Sequence, residues 1–158
     1  MNRVISCVVT LSFRALFVMA VTLYGCSPDA CYEDVESAVR ATLFLSESGV
    51  NVAPDTLSVR GYDSELPYLY ENMPGKKEIS LPLNPSAQAS QFVITIEGIK
   101  DTLTLEYSSF PKLISAECGY SFFHELTGLY STKNIIDTVI IRNRDITTLY
   151  EENIRIFY

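Results

Sequence analysis

The stretch "QFVITIEGIKDTLTLEY", residues 91–107, decides the fold. Phe92, Ile94 and Ile96 alternate with Val93 and Thr95. After the segment Glu97–Asp101, which carries Gly98, the residues Leu103, Leu105 and Tyr107 alternate with Thr104 and Glu106. Alternation of this kind places one set of side chains on a single face of a strand. Two such runs around a short glycine-bearing loop predict a hairpin.

The same period extends in both directions. Val39, Ala41, Leu43 and Leu45 alternate with Arg40, Thr42, Phe44 and Ser46, and Leu57 and Val59 alternate with Ser58 and Arg60. Ile79, Leu81 and Leu83 alternate with Ser80 and Pro82. Proline lacks a ladder donor, so this last run is expected at a sheet edge. Further strands are expected at 112–118, 120–127, 135–142 and 153–158, with turns at "SESG", "MPGKK", "NPSAQ", "SFP" and "RNRD". No long amphipathic helix is evident, and "DACYEDVESA" (29–38) has at most one or two helical turns in it. Eight or nine short strands with regular turn spacing predict an all-β fold, an antiparallel β-sandwich of immunoglobulin-like or transthyretin-like type. The competing reading is an outer-membrane barrel, since "ENIRIFY" ends the chain on an aromatic. Barrel strands of about 9–11 residues with a lipid-facing band are not found, so the sandwich is preferred.

The chain has 158 residues, 12 basic and 19 acidic, for a formal charge of −7. That length favours a single domain. The acidic balance argues against a nucleic-acid partner, where affinity rests on neutralising phosphates. The chain has no Trp and one His, His124, which limits histidine-based catalysis and metal binding.

Residues 1–25 stand apart from this pattern. They hold Arg3 and Arg14, no acidic residue, and the apolar run "ALFVMAVTLY". Such a run suits a signal-peptide core and is short for a bilayer core of about 30 Å. The competing reading, an uncleaved anchor from Val4, places Arg14 inside the membrane at a cost of about 2.5–3.5 kcal/mol. The run ends in "LYGC", residues 23–26. This resembles the lipobox of bacterial lipoproteins, although Tyr24 stands where a small or branched residue is usual. The resemblance implies cleavage before Cys26 and acylation of its thiol. Loss of Arg3 and Arg14 then leaves 10 basic against 19 acidic residues, a charge of −9. A domain so charged is expected to be held off an anionic membrane surface.

The cysteines are Cys7, Cys26, Cys31 and Cys118. With Cys7 in the leader and Cys26 under lipid, Cys31 and Cys118 remain as an even pair in an exported, oxidising compartment. A disulfide between them is expected, two free buried thiols being the alternative. The organisation read from sequence is therefore a lipoprotein signal peptide at 1–25, a lipidated tether at 26–36 and a β-sandwich domain at 37–158.

"CYEDVESAVRATLFL", "ISLPLNP", "DTLTLEY", "ECGY" and "EENIRIFY" together resemble a family of uncharacterised lipoproteins, a domain of unknown function, from Bacteroides-like bacteria. The resemblance spans nearly all of the mature chain. It implies the lipid anchor and the disulfide, and it implies no activity.

A search for chemistry finds little. His124 has Ser121 and Glu125 nearby in sequence, but on a strand each of these points to the opposite face, so a catalytic role is not expected. Glu33, Asp34 and Glu36, and again Glu151 and Glu152, lack the spacing of a calcium loop and read as solvated faces. No metal and no cofactor is expected, and no enzyme. "GYDSELPYLYENMPG" (61–75) is the most suggestive segment. Tyr62, Tyr68 and Tyr70 offer flat apolar bodies with polar tips, as binding surfaces do, and core packing is the competing role.

Two functions follow as expectations. One is a lipid-anchored envelope protein acting as a non-catalytic interaction or assembly module on another envelope protein. The other is an envelope binder of a small molecule or glycan, which the absence of Trp disfavours. "CSPDA" carries a single acidic residue, Asp29, after the lipid site. An outer-membrane anchor facing the periplasm is therefore expected rather than surface export.

Overall fold

The computed structural model describes residues 31–62 and 67–158. The leader, Cys26 and the first residues of the tether lie outside this range. Glu33–Tyr158 forms one compact unit. Ten strands follow in chain order: β1 Ala38–Phe44, β2 Leu57–Gly61, β3 Tyr70–Met73, β4 Glu78–Pro82, β5 Ala89–Ile96, β6 Ile99–Ser115, β7 Gly119–Ser131, β8 Thr138–Ile141, β9 Asp145–Ile146 and β10 Ile154–Phe157. The described residues contain no helix, and residues 31–37 carry none of the turns weighed for 29–38.

The strands form two sheets. One runs β4-β1-β10-β8, the other β3-β2-β5-β6-β7-β9. The alternation read from the sequence is what joins them. Val39, Ala41 and Leu43 of β1, Ile79 and Leu81 of β4, and Ile154 and Ile156 of β10 enter one core. Leu57, Val59, Ile94, Ile96, Leu103, Leu105 and Leu126 of the other sheet enter the same core. Burying a side chain of this size stabilises by about 1.5–3 kcal/mol. A one-residue slip would turn the whole set to solvent, so the register is strongly specified.

The expected hairpin forms, with a tighter turn. Ile96 pairs with Ile99, so Glu97 and Gly98 alone make the connection, and Asp101 is a strand residue opposite Ile94. Glu97 has φ 50° and Gly98 φ 85°, the two positive angles that a two-residue turn matched to strand twist requires. Pro82 does lie on an edge, since β4 has only β1 beside it.

Three expectations need correction. The strands are not all antiparallel: β1 and β10 pair in parallel, Ala41 with Ile154 through Phe44 with Phe157. Residues 112–118 are not a separate strand. "SFP" is no turn; β6 runs through Pro111 to Ser115, and Cys118 falls in the connection to β7. Proline is tolerated there because β5 pairs with β6 only over Ile99–Glu106, leaving the amide side of Pro111 without a neighbour. Finally, β3 and β9 escaped the sequence reading, one being mostly polar and exposed and the other only two residues long.

Candidate functional site

The length of β6 and β7 creates the most distinctive surface. Past Glu106, β6 has only β7 for a neighbour, and β9 covers β7 only at His124 and Glu125. Residues 108–115 and 119–123 therefore leave the sheet as a two-stranded ribbon, about 25 Å long at 3.3 Å per residue. Its cross-strand pairs are Leu113 with Tyr120, Pro111 with Phe122 and Ser109 with His124. Directly opposed residues share a face. One face thus runs from buried Tyr107 and His124 outward to Phe122, Leu113 and Tyr120, which are 46, 53 and 73% exposed. The other face carries Phe110 and Phe123, their ring centroids 6.4 Å apart, with the Lys112 ammonium 4.7 Å above the Phe123 ring.

A two-stranded hairpin is marginal on its own, and this one is braced. The Ser37 hydroxyl donates to the Phe122 carbonyl, and the Ser121 hydroxyl donates to the Val35 carbonyl. Residues 35–37 thus run beside the start of β7. Within the ribbon's turn the Cys118 amide donates to the Ser115 hydroxyl at 3.1 Å. Cys31 and Cys118 are both disulfide-bonded.

His124 stands where the ribbon joins the core. It is 3% exposed, its ring meets Tyr107 edge-on at 5.4 Å, and its Nδ1 lies 2.8 Å from the Ser109 hydroxyl. Burial disfavours the imidazolium and lowers the pKa, so the ring is neutral at neutral pH. A serine beside a neutral imidazole is half of a nucleophilic site. The other half would be an acid orienting the ring. Ser121 and Glu125 lie on the opposite face, as the alternation implied, and Glu125 pairs with Asp145. The sequence reading missed Ser109. Its opposition to His124 depends on the register shift between Glu106 and Tyr107, which periodicity does not reveal.

Asp101 is a buried group with a structural role. Its carboxylate, in a residue 1% exposed, accepts from the backbone amides of Asn134, Ile135 and Ile136 and from the Thr132 hydroxyl. Burial pushes its carboxyl up, but the Thr132 hydroxyl and the three amides together hold it below the ordinary value. The residues it grips connect β7 to β8 and so pass from one sheet to the other.

The three tyrosines of 61–75 separate. Tyr70 packs against the core, and its hydroxyl accepts from the Ser80 amide at 2.9 Å, joining edge strand β3 to edge strand β4 across the two sheets. Tyr62 and Tyr68 are exposed, with the Arg60 guanidinium 5.8 Å from the Tyr68 ring centre. Tyr62 stands between two open grooves. One, of about 550 Å³, includes Leu69, Asn84 and Phe92; the other, of about 350 Å³, includes Gln91, Thr104 and Tyr130. Tyr130, which the sequence reading did not single out, is 57% exposed and extends this surface. Among the described residues no group of three or more His, Cys, Asp or Glu side chains is arranged to hold a metal ion.

Residues 56–158 match the model of a family described as a family of unknown function (DUF6452), and the chain belongs to that family. The match covers β2 onward and leaves out β1 and the residues before it. No curated protein and no solved structure matches.

Proposed function

We propose that this member of a family of unknown function is a lipid-anchored protein of the cell envelope, held at Cys26 in the outer membrane and facing the periplasm. Its domain serves there as a non-catalytic interaction or assembly module for another envelope protein. The anchor rests on the leader and the "LYGC" that ends it. Two disulfide-bonded cysteines support an oxidising compartment. Two sheets around one core support a sandwich of immunoglobulin-like or transthyretin-like type, with the parallel β1–β10 pair as its departure from a purely antiparallel pattern.

One observation carries the interaction role: Tyr62 and Tyr130 stand exposed along open grooves rather than inside an enclosed pocket, and Tyr68 is exposed between Pro67 and Leu69, which line one of them. Aromatics with a polar tip make partner contacts at small entropic cost. Two measurements test the reading. Cys26→Ala should abolish labelling by a palmitate analogue and leave the unprocessed precursor; a variant labelled and cut normally removes the anchor. Affinity capture of the tagged protein from native membranes should recover an envelope protein, and Tyr62→Ala with Tyr68→Ala should lose it. Equal recovery with the double variant would refute the tyrosine surface. The groove of about 550 Å³ beside Tyr62 and Phe92 supports the second reading, a small-molecule or glycan site. Saturable binding of an envelope glycan, blocked by Tyr62→Ala, would favour it.

A further inference from the structure

We infer that the β6–β7 ribbon is the membrane-facing end of the domain, with Leu113, Tyr120 and Phe122 seated in the headgroup region of the bilayer that holds Cys26. The inference rests on the lipid-anchor reading and adds an orientation and a contact surface to it.

Three observations converge. The first is the unpartnered apolar face. Leu113, Tyr120 and Phe122 continue the core-facing side of the sheet into solvent, where no strand of the second sheet lies over them. A row of this kind at a domain's end marks an interaction site. Tyrosine is suited to a lipid interface, where its ring sits at headgroup level.

The second is where the chain arrives. The hydroxyl bonds of Ser37 and Ser121 lay residues 35–37 beside the first residues of β7. Val35 lies nine chain steps after Cys26, a reach of at most about 30 Å when fully extended. Cys31 and Cys118 are each disulfide-bonded. If those two disulfide-bonded cysteines are bonded to each other, only the five chain steps from Cys26 to Cys31 separate the ribbon's turn from the lipid. That is at most about 17 Å. The tether then presents the ribbon, and not another part of the domain, to the bilayer.

The third is charge. The only ionised side chains of the ribbon's outer half are Lys112 and Glu117, whereas Glu33, Asp34 and Glu36 lie in the adjoining tether. An anionic lipid surface would be repelled by that tether, so zwitterionic headgroups are the fitting partner. A patch of three side chains is too small to hold the domain to a membrane alone. Beside an acyl anchor it acts at high effective concentration and needs only to bias orientation. Tyr62 and Tyr130 lie level with Gln91 and Thr104, about 36 Å from the turn along β6. Docking by the ribbon would leave that surface facing away from the lipid.

The chain has no Trp, so a single introduced Trp reports alone. Full-length protein carrying Tyr120→Trp, and separately Tyr130→Trp, would be processed in cells and reconstituted into phosphatidylcholine vesicles with and without brominated acyl chains. Quenching at 120 should be several-fold stronger than at 130, with a blue-shifted emission at 120 alone. Phe122→Trp repeats the measurement if Tyr120→Trp alters the circular dichroism. Protein that carries the acyl chains and stays on the vesicles, yet quenches equally at 120 and 130, overturns the docking and leaves the anchor standing. Protein that washes off in carbonate with an unmodified Cys26 overturns the anchor, and the docking with it.

Discussion

Removing the Asp101 carboxylate should cost this domain a large part of its stability. Its Oδ2 accepts from the Ile135 and Ile136 amides at 2.7 and 2.8 Å, and its Oδ1 accepts from the Asn134 amide at 3.0 Å and from Thr132. The Ile136 amide is buried with its residue, which is 1% exposed. A buried donor left without its acceptor costs about 1–3 kcal/mol, and bonds to a charged acceptor sit at the upper end of the usual range. Water can replace the carboxylate at Asn134 more readily than at Ile135 and Ile136. Two poorly replaced donors plus the slackened connection give about 4 kcal/mol for Asp101→Ala. Domains commonly have about 5–15 kcal/mol in total. Asp101→Asn keeps one oxygen and should cost about half as much. The assay is urea unfolding at pH 7 followed by far-ultraviolet circular dichroism, with the midpoint falling at unchanged slope. The pH dependence has a definite sign. The folded carboxyl lies below its ordinary 3.8. Its contribution is therefore complete above that value and is lost as pH falls through the folded pKa. The gap between wild type and Asp101→Asn should narrow in that acid range and stay constant above about pH 5. An Asp101→Ala variant within about 1 kcal/mol of wild type at pH 7, the size of a single ordinary hydrogen bond, would refute the reasoning.

Non-reducing peptide mapping should recover Cys31 joined to Cys118, and Cys118→Ser should lower the melting temperature, with a ceiling of about 4–5 kcal/mol for so long a loop. Reaction of both thiols with a maleimide in unreduced protein would exclude the pairing. Ser109→Ala leaves the buried His124 Nδ1 without its partner and should cost about 1–3 kcal/mol. In the wild type, the His124 resonance should titrate below the ordinary 6.5. Stability should fall as pH drops through 6.5, because the unfolded chain then takes up a proton that the folded ring resists; a midpoint at or above 6.5 would contradict its burial. Tyr70→Phe should cost about 1 kcal/mol through the Ser80 amide. Tyr62→Ala and Tyr68→Ala should stay within about 0.5 kcal/mol of wild type, as exposed positions do; a larger loss at Tyr62 would make it a packing residue.

The sequence alone determined most of the strand segments, β1, β2, β4, β5 and the first half of β6 among them, and which side of each faces inward. Period-two alternation is a local property, written in residues two apart, and burial follows from it directly. Thus Val39, Ala41 and Leu43, or Ile94 and Ile96, could be assigned to the core without knowing what lies opposite them, and Pro82 to an edge without knowing which one. Partnership between distant strands is not local. The parallel pairing of β1 with β10 brings together residues more than a hundred positions apart, and alternation reads the same for either direction of the partner. Pro111 illustrates the same limit. Read as part of a turn it divides 112–118 from the run ending at Tyr107, but where β5 has ended, a missing amide costs nothing and the strand runs on. From that continuity come the ribbon, its exposed row from Phe122 to Tyr120, and the meeting of Ser109 with His124. Asp101 reads from sequence as the end of the loop Glu97–Asp101 that carries Gly98. Only the passage of residues 132–136 over it supplies the donors that make a buried carboxylate there stable.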